Sequence, residues 1–126
     1  MSDSLNTKPV LNPEVISETS DTNGYRLTLR VPRELSYFEG HFDQAKILPG
    51  VVQIEWVVKL ASERFDIVGE FKQLEVIKFQ HVIVPENTLN LDLSYLVAKN
   101  KIIFKYSLGE KPASSGRILF GVGNGV

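Results

Sequence analysis

His41 and Glu55 are the pair in this chain whose types and spacing could do acid–base chemistry, fourteen positions apart across Tyr37-Phe38-Glu39-Gly40-His41-Phe42 and Pro49-Gly50-Val51-Val52-Gln53-Ile54-Glu55. An imidazole changes charge near neutral pH and can accept a proton, while a carboxyl whose surroundings keep it neutral can donate one. Between them, Pro49-Gly50 reads as the opening of a helix. The first amides of a helix have no partner inside it, so they can stabilise negative charge that develops on a bound group. A base, an acid and an oxyanion donor therefore fall within one short window.

The elements that must position these groups follow from periodicity. Residues 1–11 are polar, with Pro9 inside them and Pro13 just after, and are expected to be a mobile lead-in. Glu14 to Thr19 alternates weakly, and Gly24 to Val31 alternates strictly, with Tyr25, Leu27, Leu29 and Val31 on one side, as in a half-buried strand. Pro32 to Leu48 keeps no period and holds His41, which suits a functional loop. Val51 to about Phe65 is apolar around most of its circumference at first, the pattern of a helix buried on several sides. Four period-two runs follow, Phe71–Val84, Thr88–Val97, Lys101–Leu108 and Ser114–Gly121, parted by Pro85-Glu86-Asn87, Ala98-Lys99-Asn100 and Gly109-Glu110-Lys111-Pro112. Strand, strand, long helix and four strands make an α+β class, an antiparallel β-sheet wrapped around one long central helix. Residues 12–121 are expected to be its one domain and 122–126 a tail.

Composition narrows the functions. With 126 residues, 43% hydrophobic and 23% charged, the chain has the make-up of an ordinary globular protein, and its formal net charge of −1 gives no overall pull toward nucleic acid. There is no cysteine, and His41 and His81 are the two histidines, so thiolate metal ligation is excluded and a metalloenzyme is not expected. The first residues lack the apolar core of a signal peptide, and no stretch approaches the roughly 20 apolar residues of a membrane span, so the expected location is cytoplasmic.

Phe38, Gly40, His41, Phe42, Ile47, Pro49, Gly50, Val51 and Glu55 fall in register with the motif F-x-G-H-F-P-x-x-P-[ILV]-x-P-G-V-x-x-x-E. In this the chain resembles the hotdog-fold 3-hydroxyacyl-[acyl carrier protein] dehydratases. Gln53-Ile54-Glu55-Trp56 looks most like the branch found in aryl-polyene gene clusters. The resemblance implies a hotdog homodimer with shared active sites, formed by pairing sheet edges, that dehydrates 3-hydroxyacyl thioesters to 2-enoyl thioesters in fatty-acid or polyene synthesis. It implies acyl carrier protein as the partner that brings the substrate, and no cofactor.

By the same resemblance, His41 takes the C2 proton and Glu55 of the partner subunit protonates the 3-hydroxyl, with the Gly50 amide facing the thioester oxygen. Phe38, Phe42, Ile47 and Val52 are expected along the acyl tunnel, with Gly40 and Lys59 also on the substrate side. Lys59 stands four residues after Glu55 on the same helical face, where an ammonium favours an ionised carboxylate. An ionised Glu55 cannot be a general acid, so the expectation is either that Lys59 points to the tunnel mouth, near the carrier's phosphate, or that activity is weak.

Each assignment has a plainer alternative. His41 could be a structural hydrogen-bonding residue, Glu55 could form an internal salt bridge with Lys59 or Arg64, and His81 could be a sheet-surface residue. Trp56 is expected in the core or a dimer contact. Lys46, Lys72, Lys78 and Arg117 could meet an acidic carrier protein or be scattered solvated cations. An ionised Glu55 would also suit a hotdog thioesterase, and Asp43 and Lys46, where the family has prolines, would suit a silent carrier-binding subunit.

Overall fold

Every third or fourth residue of the segment after Pro49 is buried, and the segment forms the single long helix of the computed structural model, which describes residues 9–39 and 46–122. This helix, α1, runs Gly50–Ser62. Val52, Trp56, Val57, Leu60 and Ala61 are all at most 4% exposed, and burying side chains of this size contributes about 1.5–3 kcal/mol each for the larger ones. That burial overrides the modest helix propensity of the valines.

Six antiparallel strands supply the other half of the core: β1 (Glu14–Asp21), β2 (Gly24–Arg30), β3 (Glu70–Phe79), β4 (Thr88–Leu96), β5 (Lys101–Leu108) and β6 (Lys111–Gly121). They form one sheet in the order β1-β2-β4-β5-β6-β3, the hotdog arrangement that the family resemblance implies. Register aligns the inward rows. Leu27 faces Leu91, Leu91 faces Tyr106, and Ile102 faces Ile118, so the buried residues of neighbouring strands stack under the helix. Gly116 opposes Phe104, and a Cβ there would come within 2.3 Å of Ile77 Cδ1 and 3.1 Å of the Phe104 ring. Its missing side chain is what lets β3 and β5 side chains meet across β6.

At two boundaries the structure departs from the sequence reading in ways that matter for the sheet. β3 ends at Phe79, not Val84, because the Gln80 and His81 amides both donate to the Ala113 carbonyl and the chain then leaves the ladder. His81 is accordingly an exposed residue beyond the strand. β6 begins at Lys111, so the turn is shorter than Gly109-Glu110-Lys111-Pro112. Pro112, which cannot donate to a ladder, is accommodated where the register shifts between Tyr106 and Ser107.

Within the lead-in, residues 9–11 are held in place. Val10 exchanges hydrogen bonds with Ser36, and the Trp56 indole N–H donates to the Leu11 carbonyl at 2.9 Å. The expected lead-in is thus bonded to the rest of the fold at these positions. Trp56 is the core residue that the sequence suggested, 2% exposed.

Candidate active site

The start of α1 is fixed by a buried polar network. Gln53, 4% exposed, donates from Nε2 to the Leu48 carbonyl at 3.2 Å and accepts from Ser114 Oγ at 2.7 Å, while its own carbonyl accepts from the Tyr106 hydroxyl at 2.7 Å. A buried amide satisfied in this way holds its surroundings rigidly. Here it ties the Leu48-Pro49 entry, the first helical turn and strands β5 and β6 into one unit. Burial pushes the Tyr106 phenol far up, so it stays a donor. The sequence reading gave Gln53 no such role. A polar residue on the apolar face, opposite a strand pair carrying Tyr106 and Ser114, was the available signal.

Among the described residues, no side chain caps the helix. The Pro49 carbonyl accepts from the Val52 and Gln53 amides, which leaves the Gly50 and Val51 N–H groups at the open end. A Cβ on Gly50 would lie 2.6 Å from Phe79 Cζ. The glycine therefore admits the Phe79 ring.

A second stripe of α1, Val51, Ile54, Glu55, Val58 and Lys59, faces Phe71, Leu74, Ile77 and Phe79 of β3 across an apolar groove of about 700 Å³, with Gly50 at its end. Glu55 is the carboxyl of this groove, exposed at its wall. Among the described residues its hydrogen-bond partner is Tyr37, whose hydroxyl donates to Oε1 at 3.4 Å. Tyr37 lies in a short 3-10 turn, Ser36–Phe38, that the sequence reading left within an aperiodic loop. Its phenol is held above the usual value, first by burial and then by the charge of Glu55 and the hydrogen bond to it.

Lys59 does not bridge to Glu55. Its ammonium meets Glu63 Oε2 at 3.1 Å and holds that carboxyl below the usual range, chiefly through this hydrogen bond. Arg64 is likewise engaged with Glu18 at 2.7 Å and Glu63 at 3.3 Å. Neither internal salt bridge that the plainer alternative gave Glu55 is formed.

Phe38 and Val52 are core residues, 3% and 2% exposed, and neither lines the groove. Val51 and Ile54 stand there instead. Ile47 is 45% exposed and borders a smaller hollow with Gly50, Gln53, Phe79 and His81. Phe79 stands between the two hollows and lines both. Gly40, His41, Phe42 and Asp43 lie outside the described residues. A further cavity at the β1–β2 turn carries Arg26 and Asp92, paired with each other at 3.0 Å, and shares none of these residues.

A family model described as ApeI-like, ApeI dehydratase, matches residues 17–117. The 3-hydroxyacyl-[acyl-carrier-protein] dehydratase FabZ of Ruminiclostridium cellulolyticum is 31% identical over 94 residues, covering 67% of this chain and 66% of that protein. Its counterpart from Clostridium kluyveri is 31% identical over 98 residues, covering 70% and 68%. The matched stretch thus spans about two thirds of these relatives. Among solved structures, the dehydratase heterocomplex ApeI:P from Xenorhabdus doucetiae superposes with a TM-score of 0.78 at 32% identity, over 86% of this chain and 96% of that one. An uncharacterized protein from Erwinia carotovora subsp. atroseptica gives the same TM-score, 0.78, at 34% identity over 87% and 96%.

Proposed function

This chain belongs to the ApeI-like dehydratase family and is a hotdog hydro-lyase of 3-hydroxyacyl thioesters, and on that premise we propose that its substrates arrive on acyl carrier protein and react in sites shared by two copies. The observation that carries the chemistry is that Gly50 at the helix start and Glu55 of the same copy border one apolar groove, which we read as one copy's half of a shared site that His41 of the other copy completes. In this reading His41 removes the C2 proton of the 3-hydroxyacyl thioester. Charge then builds on the thioester oxygen, where the Gly50 N–H donates, an interaction worth about 3–4 kcal/mol at comparable sites. Glu55 of the partner subunit gives its proton to the 3-hydroxyl, water leaves, and the 2-enoyl thioester remains.

The dimer has support in the sheet. β3 is a terminal strand with β6 on one side, and it carries exposed Phe71, Leu74, Val76 and Phe79. An edge strand with such side chains is a surface that a partner would cover. Relatives named for acyl-carrier-protein substrates support the carrier.

Mixing inactive His41→Ala and Glu55→Gln subunits tests both claims with a 3-hydroxyacyl carrier substrate. Shared sites predict that activity returns, because a mixed pair regains one intact site. No recovery after verified subunit exchange would refute the sharing.

A further inference from the structure

We infer that Tyr37 is a positioning residue for Glu55: its hydroxyl holds Oε1, so that Oε2 is turned to the substrate's 3-hydroxyl. This rests on the proposed role of Glu55. The geometry is direct, since Tyr37 Oη lies 3.4 Å from Glu55 Oε1, a separation that can shorten when a substrate fills the site. The anchoring of Tyr37 is independent of the groove. Its neighbours Ser36 and Phe38 are tied by backbone and side-chain hydrogen bonds to Val10 and Leu35, and Tyr37 itself packs against the core.

Among the described residues, the surroundings leave this task to Tyr37. Lys59, the cation nearest in sequence on the same face, is engaged by Glu63, and the β3 wall offers Phe71, Leu74, Ile77 and Phe79, none of them titratable. A carboxylic acid that accepts a hydrogen bond at one oxygen presents its proton from the other. When Glu55 releases that proton to the departing hydroxyl, the same phenol donates to the nascent carboxylate, a stronger bond than to the neutral acid. Tyr37 keeps its own proton throughout. Burial and the Glu55 charge hold its phenol above the usual value, so it remains a donor wherever the enzyme works.

Two measurements decide this. Tyr37→Phe removes one oxygen and leaves the packing ring; kcat should fall about five- to thirtyfold with KM within about twofold, the loss expected of one hydrogen bond to a group that gains charge. In parallel, carbon-13 NMR titration of the Tyr37 phenol should show its midpoint falling in Glu55→Gln relative to wild type. A Tyr37→Phe variant with wild-type kcat, or a phenol titration indifferent to Glu55→Gln, overturns the inference. The titration needs no turnover. A wild-type protein that leaves 3-hydroxyacyl thioesters intact would instead sink the functional reading, so the two failures are distinguishable.

Discussion

The two stripes of helix α1 are built for opposite ends. On one, Val52, Gln53, Trp56, Val57, Leu60 and Ala61 are sealed against the sheet, and the one polar member has its side-chain amide and its carbonyl bonded. On the other, Val51, Ile54, Glu55, Val58 and Lys59 border an open apolar groove, with a carboxyl, a phenol and an uncapped helix end around it. The closed stripe sets where the groups stand, and the open stripe leaves them surface to act on. Stability and chemistry should therefore separate cleanly between residues that are neighbours in sequence.

The sharpest way to break this comparison is Glu55→Gln. Its loss should lower turnover by about 10²–10⁴-fold, the usual worth of a positioned proton donor, with thermal stability unchanged. A large drop in melting temperature would show that Glu55 belongs to the structural side after all. Trp56, the next residue, should do the reverse. Trp56→Ala empties the core and frees the Leu11 carbonyl, so denaturant unfolding should show a loss of about 3–5 kcal/mol.

Lys59→Gln should be milder still. Its ammonium is engaged with Glu63, so kcat and its pH profile should stay within about twofold of wild type, as for most exposed ion pairs. A displaced acidic limb would restore the coupling to Glu55 that the sequence suggests.

The smallest effect lies on the far side of β3. Glu75 meets Lys101 at 2.7 Å, and that hydrogen bond chiefly holds its carboxyl below the usual range. A depressed carboxyl contributes stability above its unfolded-state value, and that contribution is lost as pH falls through the folded-state value. Glu75→Gln should therefore unfold slightly more easily than wild type at pH 7, and the two melting curves should converge in acid.

The sequence carried much of the sheet. Leu27 and Leu29, Leu89, Leu91 and Leu93, and Phe104 and Tyr106 alternate with polar neighbours, and each set is buried as its period demands. The end of β3 was hidden because Val82-Ile83-Val84 is as apolar as a strand, whereas its fate is set by distant partners, with the Ile83 carbonyl accepting from Leu48. The helix was legible as a helix but not as two stripes, since valine and isoleucine read alike whether they meet a core or a groove. For the site, Glu55 and Gly50 stood out by spacing. Tyr37 did not, because nothing in an aperiodic loop says which side chain will reach a carboxyl eighteen positions on.

The central claim is that this groove removes water from a 3-hydroxyacyl thioester using His41 and Glu55. Intact-mass spectrometry of a 3-hydroxyacyl carrier protein incubated with wild type, His41→Ala and Glu55→Ala tests it most directly. The account predicts a product lighter by one water with wild type and unchanged substrate with both variants. Release of the free carrier thiol, or water loss that persists in either variant, would contradict it.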